Sequence, residues 1–309
     1  MRAMIKKGIS VLLVLMILSG GLSFAEGKGS WDQQRIPTIA KTVKKSQGKI
    51  TSEKEFEEIL VQKIVANVSP IKLDLDNTKI SQTTIRRVLD KLGDIPEVLS
   101  VSRKFSAKWM VGRGITKLTV EPTYNKGSKD VVSFAKEWVK NNISPEMTQE
   151  QKVRTIHDHM VLEYGYSKSL DPEQNNGYDV YSPASLIYQK NGVCQAYSLL
   201  FYELAKNSGL EVRVVSGTML KGGGHAWNYV KVDGNWYAID ITHDDPIPDK
   251  EGRVIYDYYL RSDEYMANSR KWDRSKAPQA LFDHSASAQN APSSDAELED
   301  TLVDENTGD

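Results

Sequence analysis

Residues 192–209, with the sequence GVCQAYSLLFYELAKNSG, contain the single cysteine of a 309-residue chain. Apolar residues follow Cys194 at helical spacing, and Gly209 is a natural stop just beyond the last turn. The pattern predicts a helix of about four turns with Cys194 in its first turn. Free amides and the helix dipole at that end are expected to stabilise a thiolate and lower the pKa of the thiol. Because the same amides can donate to an oxyanion, Cys194 is a candidate nucleophile.

A β-hairpin is predicted downstream, in the stretch HAWNYVKVDGNWYAIDIT at residues 225–242. The Asp-Gly pair at 233–234 is typical of a two-residue loop, which fixes how the two strands pair. Counting from the loop gives the opposed pairs Val232–Asn235, Trp227–Asp240 and His225–Thr242. His225 and Asp240 then share one face as diagonal neighbours, so that the carboxylate can orient the imidazole. The other face is apolar and is predicted to be buried: Ala226, Val230, Val232, Tyr237, Ile239 and Ile241.

Each candidate residue has a simpler explanation when it is taken alone. A lone cysteine is more often a small buried hydrophobic residue than a nucleophile. A single histidine or aspartate in a strand is usually structural. Together, however, Cys194 at a helix start, His225 after a glycine run and Asp240 on the partner strand form a nucleophile, a base and an orienting acid.

Three blocks of the sequence resemble the signature blocks of the bacterial transglutaminase-like superfamily: residues 192–197, 225–228 and 236–242. The resemblance implies an α+β, papain-like fold in which a helix carrying the cysteine packs on an antiparallel sheet. It also implies a catalytic triad of Cys194, His225 and Asp240. Two positions depart from the pattern, because Ala196 stands where glycine is common and His243 where tryptophan is common. Neither is a member of the triad.

The sequence predicts five segments: a signal peptide at 1–25, a linker at 26–50, a small α/β domain of unknown role at 51–127, the transglutaminase-like domain at 130–275 and an acidic disordered tail at 283–309. The signal is indicated by a basic start, a short apolar run and small residues before the predicted cleavage after Ala25. The tail holds eight acidic residues and neither lysine nor arginine. These features predict a secreted protein that is extracellular or associated with the cell wall, with no membrane span after cleavage.

Composition and motifs limit the classes of cofactor and partner. A net charge of −1 is far from the basic footprint of a nucleic-acid-binding protein. His157 and His159 are two residues apart on a predicted helix, so they point in different directions and are poor co-ligands for a metal. The aspartates at 244, 245 and 249 are best explained by an exposed turn. The expectation is therefore an enzyme with neither a metal nor another cofactor.

The predicted chemistry is acyl transfer through a thioester on Cys194, with a protein or peptide as the amide donor. A lysine amine as acceptor would give cross-linking, and water would give deamidation or proteolysis. A second oxyanion donor is expected from Tyr181, Tyr188 or Gln189. Two alternatives stay open, namely a cysteine peptidase on the same fold and a non-enzymatic cell-wall or protein-binding module that retains the triad.

Overall fold

A computed structural model describes the backbone of residues 13–19 and all of residues 48–245 and 252–285. The chain separates into two compact units, with the division between Tyr124 and Asn125. Within the described residues, no helix combines the length and the apolar character needed to cross a bilayer.

The N-terminal unit is a four-stranded antiparallel sheet with helices. Its elements are β1 (Leu13–Ser19), α1 (Glu53–Val65), β2 (Ile71–Leu75), α2 (Gln82–Lys91), α3 (Pro96–Leu99), β3 (Ser102–Gly112) and β4 (Ile115–Tyr124), with the strand order β1-β3-β4-β2. Alternation in β2 buries Ile71, Leu73 and Leu75 while Lys72 and Asp74 are exposed. Because β1 lies inside the predicted signal segment, cleavage after Ala25 would leave β3 as an edge strand.

The C-terminal unit places helices around a second antiparallel sheet. Its elements are α4 (Ser128–Asn142), α5 (Gln149–Glu163), β5 (Gly165–Tyr166), α6 (Pro183–Gln189), β6 (Asn191–Gly192), α7 (Cys194–Asn207), β7 (Val212–Met219), β8 (Gly224–Val232), β9 (Asn235–Ile239), α8 (Ile241–Asp244), α9 (Asp263–Ala267) and β10 (Arg270–Trp272). The main sheet has the strand order β10-β7-β8-β9, and β5 pairs in parallel with β6. This architecture confirms the predicted α+β class.

Helix α7 is the centre of this unit. Every residue from Cys194 to Ala205 is buried, because α4, α5 and α6 pack on the helix together with β7 and β8. As the sequence predicts, the helix starts at Cys194. It stops at Asn207, two residues before Gly209, which adopts a left-handed conformation with φ +83°.

The β8–β9 hairpin keeps the predicted register over most of its length. Asp233 and Gly234 both have positive φ, as a two-residue type I′ loop requires, and the ladder runs from Val232–Asn235 to Asn228–Ile239. The predicted pairs beyond it, Trp227–Asp240 and His225–Thr242, do not form. The chain leaves the strand there, because the amide of Asp240 donates to the carbonyl of Tyr258 at 3.1 Å and α8 begins at Ile241.

Both faces of this sheet are buried, whereas the sequence predicted one buried face. The predicted face is buried as expected. The face that carries Trp227 and Tyr229 is covered by the C-terminal segment, in a second apolar cluster that includes Met266 and Ala280. That segment continues into the predicted tail, where Asp283 accepts a hydrogen bond from the amide of Ser262 at 2.6 Å. The rest of the predicted tail, residues 286–309, lies outside the described residues, as do the predicted linker up to residue 47 and Asp249.

Candidate active site

The Cys194 thiol is buried at the N-terminus of α7, with 7% of the residue exposed. Hydrogen bonding from the backbone amides of Ala226, Gln195 and Cys194 itself lowers the pKa of the thiol. Burial nevertheless raises the pKa of the thiol to about 11, against the opposing effect of the Ala226 amide, and the charge of Asp240 adds to the rise. The expected lowering of this pKa is therefore wrong, because desolvation of the thiolate outweighs the helix start.

His225 and Asp240 form the predicted pair, although not through the predicted ladder. Nε2 of His225, near the start of β8, lies 2.7 Å from Oδ2 of Asp240, and both side chains are buried. Because an ionised carboxylate can only accept, a neutral His225 carries its proton on Nε2 and presents Nδ1 as an acceptor. Burial lowers the pKa of His225, in spite of the opposite effect of Asp240, and so favours this neutral form.

Arg270 is a functional-site residue that sequence analysis missed. Its guanidinium donates through Nη1 to Oδ2 of Asp240 and lies over the rings of Tyr258 and Trp227, at 4.5 and 5.4 Å from their centroids. The residue is 1% exposed. An arginine in a short stretch of mixed sequence carries no periodic signal of burial, so the sequence offered nothing that would single it out.

His243, the residue at the position where tryptophan is common, also belongs to the site. Its Nδ1 lies 3.0 Å from Oδ2 of Asp240, and its ring meets that of His225 edge-on at 4.6 Å. Burial alone would raise the pKa of Asp240, but the interactions of its carboxylate with His225, His243 and Arg270 hold the pKa of this carboxyl well below its ordinary value. Asp240 is therefore an ionised carboxylate at neutral pH.

The same residues are the candidate metal ligands within the described part of the chain. His225, Asp240 and His243 each offer one ligand atom, and these atoms lie within 4.8 Å of one another. The guanidinium of Arg270 already places a positive charge on Asp240 at this position. A second cation there would be repelled, so the geometry fits an acid–base site better than a metal centre.

Helix α8, which follows Asp240, is held by two further buried aspartates. Asp244 lies 3.2 Å from Nε2 of His157 on α5, and Asp245 accepts a hydrogen bond from the Tyr197 hydroxyl at 2.5 Å. Asp244 and Asp245 are both buried, so the predicted exposed turn is wrong for these two residues. Their partners come from α5 and α7, at sequence distances that no local pattern reveals.

His157 is fully buried and has a carboxylate at each ring nitrogen. Nδ1 lies 2.9 Å from Asp158 and Nε2 lies against Asp244. Burial alone would lower the pKa of His157, but the hydrogen bonds to Asp158 and Asp244 raise it. These contacts favour the protonated form of His157 and connect α5 to α8, whereas His159 packs against Trp138.

Two of the three predicted oxyanion donors are occupied elsewhere. The Tyr188 hydroxyl donates to Asp130 at 2.7 Å, and Nε2 of Gln189 donates to the carbonyl oxygen of Tyr188 at 3.1 Å. Tyr181 stays a prediction.

Comparison with known proteins assigns part of the chain to a family. Residues 123–241 match the family model of the transglutaminase-like superfamily. This part of the chain is therefore a transglutaminase-like superfamily domain, and the resemblance seen in the sequence is confirmed. The matched segment includes Cys194, His225 and Asp240, and it ends before His243 and Arg270. No curated protein matches the chain.

Three solved structures are similar to parts of the chain. One is a protein of Cytophaga hutchinsonii assigned as a cysteine protease, with 16% sequence identity and a TM-score of 0.29, and the match covers 48% of this chain and 60% of that one. Another is a TGase, with 13% identity and a TM-score of 0.24, and the match covers 60% of this chain and 54% of that one. The third is an arylamine N-acetyltransferase of Bacillus cereus with a Cys-His-Glu triad, with 15% identity and a TM-score of 0.28, and the match covers 36% of this chain and 48% of that one. The chain spans about half to three fifths of the length of each.

Proposed function

We propose that this protein is a thiol acyltransferase or amidase that acts on amide groups of proteins or peptides through a thioester on Cys194. The observation that carries the proposal is the hydrogen bond between His225 Nε2 and Asp240, which leaves Nδ1 as the proton acceptor. Cys194 lies against the amide of Ala226, the residue that follows this histidine. A nucleophile, a base and an orienting acid are thus drawn from three separate elements.

The charge states of Cys194 and His225 favour a mechanism in which the histidine removes the thiol proton during the reaction, rather than one in which Cys194 is already a thiolate at rest. Burial raises the pKa of Cys194 and lowers that of His225, so the resting pair is a neutral thiol and a neutral imidazole. In the first step Nδ1 of His225 takes the thiol proton while the sulfur forms a bond to the amide carbon. The oxyanion that results accepts hydrogen bonds from amides at the start of α7. Asp240 stabilises the imidazolium that forms.

Collapse of this intermediate breaks the bond between carbon and nitrogen. The His225 imidazolium gives its proton to the departing nitrogen, which leaves as ammonia or an amine, and a thioester remains on Cys194. A second nucleophile, either water or an amine, then loses a proton to Nδ1 and attacks the thioester. Water yields an acid and an amine yields a new amide, and the thiol is regenerated in both cases.

The test is an incubation of the full chain with a library of glutamine-containing peptides and a primary amine, followed by mass spectrometry of the products. Deamidated or amine-coupled peptides that depend on Cys194 are the expected result. New peptide amino termini would identify a peptidase instead. Products that persist in Cys194→Ala and His225→Gln would refute the assignment. His159→Gln is a matched histidine control, because its ring packs against Trp138 and Tyr164 outside the proposed triad.

We also propose that the protein is exported and cleaved after Ala25, as its basic start and short apolar run indicate. Amino-terminal sequencing of protein recovered from culture medium should begin at Glu26. Recovery of an intact amino terminus from the cell fraction alone would contradict export.

A further inference from the structure

Arg270 is held beside the triad by strand β10, outside the segment that matches the family. β10 pairs with β7 through Arg270–Met219 and Trp272–Gly217. The close approach depends on Gly217, since a Cβ there would lie 2.2 Å from the carbonyl oxygen of Lys271. The fold thus brings a residue 30 positions beyond Asp240 into contact with its carboxylate.

We propose that Arg270 is a positioning residue of the triad, which keeps the Asp240 carboxylate ionised and directed at His225 and thereby sets the pH range in which Cys194 reacts. This inference rests on the proposed function, in which Cys194, His225 and Asp240 are the nucleophile, the base and the orienting acid. It adds a group that the resemblance does not supply.

The charges in this buried cluster explain why an arginine is needed. Asp240 is almost fully buried and brings one negative charge, which must be compensated. If the two histidines supplied the compensation, His225 would be protonated and could not accept the thiol proton. The permanent charge of Arg270 compensates Asp240 and leaves His225 neutral.

Contacts from each surrounding element complete the description of the cluster. β8 contributes His225, the turn into α8 contributes Asp240 and His243, α7 contributes Cys194, and β10 contributes Arg270. Tyr258 packs against both Arg270 and His243. Cys194 and His225 would both feel the loss of a positive charge. Each would bind a proton more tightly, so the pH profile of Cys194 should move to higher pH.

The test measures alkylation of Cys194 by iodoacetamide across a range of pH in the full chain. Cys194 is the single cysteine in the sequence, so the modification reports on this site alone. Arg270→Met should move the midpoint of the rate profile upward by about one pH unit, as loss of one charge several ångströms away implies. Arg270→Lys keeps the charge and should hold the midpoint while it lowers kcat, because a single ammonium cannot reproduce the directed guanidinium contact.

Lys271→Met is the matched control, since it removes one positive charge from the next, exposed residue of the same strand. Its profile should superimpose on that of the unaltered protein. If Arg270→Met does not fold, as judged by circular dichroism, Arg270→Gln replaces it as the neutral variant. If no neutral variant folds, an upward shift in Arg270→Lys as large as one pH unit would overturn the proposal.

The outcomes separate this inference from the proposed function. An unchanged profile in a folded neutral variant, with acyl transfer still dependent on Cys194, would overturn the role of Arg270 alone. A shifted profile in a protein that forms neither deamidated nor coupled products would support the role of Arg270 and refute the proposed function.

Discussion

Asp240→Asn should lower stability as well as activity, because Asp240 balances a buried cation. Asparagine preserves the shape of the side chain but carries no charge. Arg270 would then be a buried guanidinium between Tyr258 and Trp227 with its carboxylate removed. Removing one partner of a buried ion pair costs about 3–5 kcal/mol. For a domain of this size each kcal/mol corresponds to about 2–4 °C, so the transition should fall by about 6–20 °C.

The assay is differential scanning calorimetry of the full chain, in which the transition of the C-terminal unit is followed. Asp240→Asn is compared with Arg270→Met and with the double variant, which removes both charges. The double variant should regain part of the loss, with an interaction energy of about 2–3 kcal/mol between the two sites. Asp233→Asn, at an exposed aspartate in the β8–β9 loop of the same unit, is the control and should stay within about 0.5 kcal/mol of the unaltered protein. Exposed ion pairs contribute at most about 1 kcal/mol to stability. A smaller loss than that in Asp240→Asn, or a double variant whose loss equals the sum of the two single losses, would refute a buried ion pair between Asp240 and Arg270.

Three further predictions concern stability. Because the pKa of His157 is raised on folding, its contribution to the free energy of unfolding is fully present below the ordinary histidine value and is lost as pH rises through the raised value. His157→Gln should remove this loss of stability from melting curves recorded across a range of pH. A loss that persists in the variant would contradict protonation of His157 in the folded protein. Gly217→Ala should lower the free energy of unfolding, measured in urea, by about 1–3 kcal/mol, because its Cβ would overlap the carbonyl of Lys271. An unchanged free energy would contradict the close pairing of β7 and β10. Deletion of residues 286–309 should leave the melting temperature nearly unchanged, whereas deletion of 283–309 should lower it by removing the Asp283 contacts; equal effects would show that those contacts do not stabilise the body.

Local rules allowed much of this molecule to be predicted from the sequence. Helical spacing and a terminal glycine located α7, and the Asp-Gly loop set the register of β8 and β9, because both depend on residues close along the chain. The pairing of His225 with Asp240 followed from that register. The contact forms even though the ladder ends at Asn228–Ile239, before either residue is reached, because Asp240 directly follows the last paired residue of β9.

Tertiary structure alone decided the electrostatics of the site. Arg270 reaches Asp240 only because the C-terminal segment folds back beside β7, and His157 meets Asp244 across 87 positions of sequence. Burial reversed the expected direction of the Cys194 pKa, because the cost of desolvating a thiolate depends on what surrounds it in space. Periodicity and turn chemistry act over a few residues, whereas charge pairing and desolvation depend on distances that arise only after the chain has folded.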